Sequence, residues 1–174
     1  MAIIGAAAMV VGGLRSWDAA VRSVDANTLV LLFGMMIVAA YLRLSGFFGL
    51  VTLWAIRRAH GPRSLLAAII AVSGALSALF VNDVICLVLA PLILTVTRRL
   101  RLPPLPYLIA LATAANVGSV ATLTGNPQNM LVGSFSGIAY RSFLIRQAPV
   151  ALLGLLCVFG VVWLVYRRQL RSSR

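Results

Sequence analysis

Apolar residues in this chain come in long runs rather than on one face of a helix or strand. Helices that are apolar all round are solvated by lipid, not by water. The pattern therefore predicts an all-α integral membrane protein with a single transmembrane domain over residues 1–174. The runs that contain almost no ionisable side chain are Ala2–Leu14, Thr28–Leu42, Ser64–Thr97, Leu105–Ser119 and Gln147–Tyr166.

The third run is too long for one membrane crossing and is interrupted by Val81-Asn82-Asp83. Its two apolar arms, Ser64–Phe80 and Val84–Thr97, would reach about 25 and 21 Å as helices. Both lengths fall short of a hydrocarbon core about 30 Å thick. We therefore expect residues 64–97 to form a re-entrant hairpin whose turn lies inside the membrane.

The fourth run changes character in the stretch Asn116–Asn129, which contains Gly118, Gly125 and Pro127. A helix does not run cleanly through these residues. The sequence therefore predicts a broken helix with polar backbone at membrane depth, which lipid permits only where the break is buried or lines a wet cavity. The alternative is a turn between two ordinary spans.

Charge supports this topology. The formal charge of +12 comes from fifteen arginines, with no lysine, against three aspartates. With a re-entrant hairpin, ten arginines at the ends of apolar runs fall on the cytoplasmic side and four outside, as the positive-inside rule expects. We predict about four spans plus the hairpin in the cell membrane, which is the inner membrane in a Gram-negative cell, and no nucleic-acid partner. His60 is expected in a solvated loop beside Arg58.

Asp83 is the one acid within an apolar run. An intramembrane carboxylate is expensive and is by default a candidate for function. It could act as an ion ligand or proton carrier, with Asn82 as a second polar ligand. Alternatively, Asp83 could cap a second arm whose first turn begins at Val84, since Asp is a favoured N-cap.

The break offers amides, hydroxyls and freed carbonyls, the hard oxygens that hold alkali ions. Cys86 and Cys157 lie in apolar runs without metal-ligand spacing. No catalytic signature is present, so we predict neither an enzyme nor a cofactor beyond a coupling Na⁺ or H⁺. The candidate ion- and substrate-binding residues are Asn82, Asp83, Asn116, Thr122, Thr124, Gly125, Asn126, Pro127 and Asn129.

Two motifs carry a resemblance to a known family. Ser77-Ala78-Leu79-Phe80-Val81-Asn82-Asp83 is similar to the hairpin tip of the arsenite permease/citrate transporter-like superfamily of ion transporters. The stretch Asn116-Val117-Gly118-Ser119, followed by Thr122-Leu123-Thr124-Gly125-Asn126-Pro127-Gln128-Asn129, resembles the second signature of that family, N-[IV]-G-x-x-A-T-x-x-G-[DNT]-P-x-N.

The resemblance implies that the chain is one inverted-repeat unit, with one hairpin and one broken helix. Residues carried over from the family would place a cation site at Asn82, Gly125 and nearby residues, with Asn126, Pro127 and Asn129 beside the substrate. Na⁺ is the candidate ion there, with Asp83 as an additional ligand particular to this chain. Sodium-coupled carboxylate members have a Ser-Asn-Thr tip, whereas this chain has Val81-Asn82-Asp83. That departure favours proton coupling, or a cationic or neutral substrate.

The functional expectation is half of a secondary active transporter. It would move an inorganic or organic anion, an arsenite-like solute or Na⁺, coupled to H⁺ or Na⁺. Its partners would be the bilayer, a small ion or anion substrate, and a second repeat half or a homodimer; the arginine asymmetry argues against an inverted second copy. The alternatives are a passive channel-like pore and a non-transporting, truncated membrane subunit.

Overall fold

The computed structural model describes residues 2–13, 16–22, 24–58 and 61–171, and these residues form helices and no strand. The all-α prediction is confirmed. His60 lies outside the described residues. The helices are α1 (Ala2–Val11), α2 (Trp17–Arg22), α3 (Ala26–Leu44), α4 (Phe47–Arg58), α5 (Pro62–Leu79), α6 (Asn82–Arg99), α7 (Pro104–Ser119), α8 (Pro127–Ser136) and α9 (Tyr140–Arg171).

Three of the described helices are long and apolar enough to cross a membrane: α3, α5 and α9 up to Leu170. The apolar side chains of α3 and α9 point outward, as Phe33 (66% exposed) and Leu164 (63% exposed) illustrate. Exposed leucine and phenylalanine on this scale, in helices long enough to cross a bilayer, indicate contact with lipid. The chain is thus an integral membrane protein, and the number of passes stays a prediction.

The core lies among α5, α6, α7 and α9, with α7 in contact with the other three. Leu66, Ile85, Tyr107 and Ala110 are fully buried there. Packing between α5 and α7 is close enough that a Cβ on Gly118 would lie 2.3 Å from the carbonyl oxygen of Gly74. Small residues that let helix backbones approach closely are typical of helix packing in membranes.

Helices α5 and α6 form the hairpin, with each arm 18 residues long. Both arms exceed the predicted lengths, because α5 begins at Pro62, a residue suited to a first helical turn, and α6 already includes Asn82 and Asp83. At about 27 Å each arm is close to the thickness of the hydrocarbon core, and α5 is apolar enough to cross it, so the re-entrant placement of the hairpin stays a prediction. The helical hairpin itself is confirmed.

Helix α3 is tied to α8 at its N-terminus, just before the apolar span. Asp25 caps α3 by accepting a hydrogen bond of 2.7 Å from the backbone N–H of Thr28. Its other carboxylate oxygen accepts one of 2.6 Å from the hydroxyl of Ser134 on α8. These bonds, that from Ser134 above all, lower the pKa of Asp25 below its usual value. The anionic carboxylate therefore links the two helices at neutral pH.

Candidate functional site

The tip of the hairpin is a two-residue turn. Helix α5 ends at Leu79, Phe80 and Val81 are extended, and α6 begins at Asn82. Val81 is the N-cap and makes no side-chain capping bond. The backbone N–H of Asn82 instead donates 3.0 Å to the carbonyl of Gly125 in the break. The N–H of Asn82 is the first backbone donor of α6 that has no acceptor within the helix. Its acceptor is Gly125, which belongs to the second predicted motif.

Asp83 is not the N-cap of a helix starting at Val84; it lies in the first turn of α6. The capping alternative from the sequence is therefore wrong, because α6 begins at Asn82 and the N–H of Ile85 already donates to the Val81 carbonyl within the helix. Asp83 is exposed and makes no hydrogen bond to another described residue. Its charge is favourable at a helix N-terminus, and its carboxylate oxygens are free to meet a ligand.

The broken helix is present as predicted. Helix α7 ends at Ser119, residues 120–126 are not helical, and α8 begins at Pro127. Asn126 is the N-cap of α8: its side-chain oxygen accepts 2.8 Å from the backbone N–H of Asn129. Its amide nitrogen donates 3.1 Å to the hydroxyl of Ser119 and 3.4 Å to the Ser119 carbonyl. Both ends of the break are thus joined by one side chain.

Asn129 closes the break from the other side. Its amide nitrogen donates 3.2 Å to the carbonyl of Ser119 and 2.8 Å to the carbonyl of Thr122. Gly125 is required by the same fold, since a Cβ there would lie 2.2 Å from the Ser119 carbonyl oxygen. The carbonyls of Ser119, Thr122 and Gly125 thus accept hydrogen bonds from inside the protein, as polar backbone at membrane depth requires.

Three side chains join the hairpin to the broken helix. Ser77 donates 2.5 Å to the carbonyl of Ala115, and Thr122 donates to the carbonyl of Ala78. Asn82 donates 3.3 Å through its side chain to the side-chain oxygen of Asn116. The carbonyl of Ala78 belongs to the last turn of α5, where no helical donor is available. The hairpin tip and the break are therefore joined by three side-chain hydrogen bonds, one of which satisfies a carbonyl at the end of α5.

Six of the predicted site residues form two groups that differ in burial. Thr122, Gly125 and Asn126 are buried, and the hydroxyl of Thr122 and the amide of Asn126 are engaged within the protein. Asn82, Asp83 and Asn116, by contrast, are half-buried or exposed and lie together beside the tip. Pro127 starts α8 and Thr124 is half-buried. The exposed group is the part that can contact a solute.

The donor set suits a hard cation or a hydroxylated solute. The side-chain oxygen of Asn82, the carboxylate of Asp83 and the carbonyl of Gly125 are hard oxygen atoms, which Na⁺ prefers. Among the described residues no three His, Cys, Asp or Glu side chains converge on one point, as a dedicated transition-metal site would require. The structure brings Asn82 and Gly125 together; binding of Na⁺ there stays a prediction.

Tyr140 is a neighbour of the site that the sequence did not reveal. Its hydroxyl lies 3.3 Å from that of Thr124, which lies 3.4 Å from that of Thr122. The proximity arises because the short connection after α8 returns the start of α9 to the break. Nothing in the sequence around Tyr140 indicates that its hydroxyl lies beside the break.

A groove beside the break, of about 770 Å³, lies between α5, α7 and α9. Its walls are small or apolar, including Gly74, Ala78 and Leu155. Such a surface offers no donors or acceptors to hold an ion. The candidate site is therefore the hairpin tip and not this groove.

Comparisons with known proteins identify the family of this chain. The family model described as citrate transporter matches residues 1–174. The chain is 41% identical over 157 residues to the silicon efflux transporter LSI3 of Oryza sativa subsp. japonica, covering 88% of this chain and 32% of that protein. It is 32% identical over 149 residues to the inner membrane protein YbiR of Escherichia coli, covering 86% of this chain and 39% of that protein.

A third relative is the putative transporter arsB of Dictyostelium discoideum, which is 27% identical over 167 residues, covering 96% of this chain and 30% of that protein. The chain thus spans about a third of the length of the curated relatives that it matches. No solved structure matches it. The names of the family and of these relatives point to transport and not to catalysis.

Proposed function

The chain belongs to the citrate transporter family, and on that premise we propose that it is one repeat half of a secondary active transporter in the cell membrane. The observation that supports this is the joint between two interrupted helices. The tip of the α5–α6 hairpin and the α7–α8 break are hydrogen-bonded through Asn82 and Gly125. Interrupted helices that meet within a membrane are where transporters bind substrate and coupling ion.

We further propose that the solute is small, hydroxylated and uncharged, of the arsenite kind, and that it is exchanged against H⁺. Asp83 places a negative charge on the exposed side of the tip, which disfavours an anion of the citrate type. The amides of Asn82 and Asn116 can donate to and accept from hydroxyl groups. Two relatives with names that specify silicon efflux or arsB support this choice.

In this mechanism Asp83 is the group that exchanges the proton. When anionic, its carboxylate accepts hydrogen bonds only; when protonated, it also donates one. Solute and proton would therefore compete for the same oxygens, which couples the two fluxes. A second repeat half would supply the opposite wall of the site, because Asp83 and Asn116 are exposed on this half.

The test is solute flux in proteoliposomes that contain the purified chain, with an imposed pH gradient and radiolabelled arsenite or germanic acid as probes. The Asp83→Asn variant keeps the shape of the side chain and removes the exchangeable proton. We expect it to lose flux driven by the pH gradient. The matched control is Asp18→Asn in α2, which removes an equal charge far from the tip and should transport like the wild type.

Wild-type pH dependence in Asp83→Asn would contradict the proposed role of Asp83. A flux that rises linearly with solute concentration and ignores the gradient would contradict a transporter and indicate a pore. No flux from the wild-type chain with either probe would contradict transport by this half alone. The same measurement after co-reconstitution with a second repeat half then tests the proposal for the pair.

A further inference from the structure

One end of the helical bundle brings several chain segments to a common surface. Helices α5 and α7 begin there, and α6 and α9 end there. The hydroxyl of Tyr107 in α7 donates 3.3 Å to the carbonyl of Pro62 in α5. The guanidinium of Arg63 lies 3.9 Å above the ring of Trp163 in α9. Leu170, near the end of α9, is buried in the same core. We call this surface the arginine-rich end.

Six exposed arginines of the arginine-rich end come from α5, α6, the α6–α7 turn and α9. The chain has three acids, and none is near them: Asp18 and Asp25 lie before α3, and Asp83 lies at the hairpin tip. Six positive charges therefore lie at one end of the bundle, and no acid of the described residues lies beside them. The members of this arginine patch are Arg63, Arg98, Arg99, Arg101, Arg167 and Arg168.

Arg101 occupies a backbone conformation that arginine rarely adopts. Its φ is +53°, in the left-handed region. Helix α6 ends there in a Schellman motif: the N–H of Arg101 donates 3.1 Å to the Arg98 carbonyl, and that of Leu102 donates 2.8 Å to the Thr97 carbonyl. Glycine is the usual residue at this position, and another residue is less favourable by roughly 1 kcal/mol. The two hydrogen bonds of the motif stabilise this conformation, and arginine at this position adds a positive charge to the patch that glycine would not.

Helix ends attract cations, since the last carbonyls carry partial negative charge, and the positive-inside rule alone favours arginine on one side of a membrane. Neither effect accounts for an arginine in a strained position. Nor does either account for Leu100, which is 50% exposed between Arg99 and Arg101. An apolar side chain set among guanidinium groups fits the boundary between headgroups and acyl chains.

Trp163 gives a second sign of that boundary. Tryptophan is enriched at the headgroup level of membranes, and its ring here holds the guanidinium of Arg63 in place. Guanidinium groups bind phosphate through paired hydrogen bonds. Basic clusters next to transmembrane helices recognise anionic lipids in this way. A soluble anion would gain nothing from Leu100 or Trp163.

We infer that the arginine patch is a binding site for anionic phospholipids, whose phosphate groups are held by the guanidinium groups while Leu100 dips among the acyl chains. This site is distinct from the hairpin tip and is independent of the solute transported. Lipid bound there would tie the ends of α5, α6 and α9 together and stabilise the bundle.

The test measures thermal unfolding of the purified full chain by circular dichroism in a non-ionic detergent, with added lipid. Phosphatidylglycerol should raise the melting temperature in a saturable way. Phosphatidylcholine, which carries no net charge, should have little effect. Inorganic phosphate and glycerol phosphate serve as soluble sources of the same group. Equal stabilisation by either of them would overturn the assignment to a lipid.

The decisive variant is Arg101→Gly, because it removes a charge and relieves strain at once. Without lipid its melting temperature should equal or exceed that of the wild type. Its apparent affinity for phosphatidylglycerol should fall roughly fivefold, the change expected for one arginine near a lipid surface. If Arg101 had only a structural role, its replacement would not lower the affinity for phosphatidylglycerol while leaving the melting temperature without lipid intact.

Arg141→Gln is the matched control, since Arg141 lies exposed at the opposite end of α9 and its loss changes the net charge equally. Its response to phosphatidylglycerol should match that of the wild type. An unchanged affinity in Arg101→Gly, or an equal loss in Arg141→Gln, would overturn the proposal. Unfolding does not depend on flux, so this result stands apart from that of the transport test.

Discussion

Replacing Gly118 by alanine tests the close packing that holds the hairpin against the broken helix. The added methyl carbon would lie 2.3 Å from the carbonyl oxygen and 2.5 Å from the Cα of Gly74. Both obstacles are backbone atoms, so no rotamer change relieves the clash, and α5 and α7 must move apart. Overpacking of this kind costs about 1–3 kcal/mol.

The gain in helix propensity offsets at most about 1 kcal/mol of that cost, and less here, because Gly118 lies in the last turn of α7. We therefore expect Gly118→Ala to lower the free energy of unfolding by about 1–2 kcal/mol. The movement should also weaken the bond between Ser77 and Ala115, which joins the same two helices.

Gly160→Ala is the control for this substitution. Gly160 lies inside α9, and a Cβ there would meet nothing within 4 Å. Only the higher helix propensity of alanine then changes the stability. The variant should therefore be as stable as the wild type, or more stable by up to about 1 kcal/mol. Both variants are measured by equilibrium unfolding in mixed micelles with increasing dodecyl sulfate, followed by far-UV circular dichroism. A Gly118→Ala protein as stable as Gly160→Ala would refute the packing argument.

Two further substitutions test the hydrogen bonds of the site in the same unfolding assay. Asn126→Ala removes the cap of α8 and both donations to Ser119, and should destabilise by about 1–2 kcal/mol. Asn126→Ser keeps a capping oxygen without adding a charge and should lose less, and an equal loss would contradict this account of the cap. Ser77→Ala breaks the bond to Ala115 between helices and should cost about 0.5–1.5 kcal/mol. Ser73→Ala breaks bonds within α5 only, and an equal or larger loss there would contradict the predicted order.

The broken helix and the hairpin could be predicted because local rules decide them. Gly118, Gly125 and Pro127 each disfavour a helix interior, and close together they predict the interruption between Ser119 and Pro127. The polar residues Asn82 and Asp83 mark the centre of a run that is otherwise apolar. In both cases the nearest neighbours along the chain contain the information, and the structure confirms the interruptions.

The contacts between these two elements could not be predicted in the same way. The sequence offered Asp83 as a cap because aspartate commonly fills that position, whereas the Gly125 carbonyl, more than forty residues away, satisfies the donor. Tyr140 lies near Thr124 only because of the path taken after α8. Such outcomes depend on how helices pack, and tertiary context overrides local preference.

The bond between Asn82 and Gly125 has a consequence for how the chain is made. The ribosome completes the hairpin well before it reaches the break, so the N–H of Asn82 and the carbonyl of Ala78 at first have no partner. An unsatisfied polar group in hydrocarbon costs several kcal/mol. The hairpin tip must therefore wait in a hydrated environment at the insertion machinery until Gly125 and Thr122 have been synthesised. We therefore expect the hairpin to enter lipid only when the break forms.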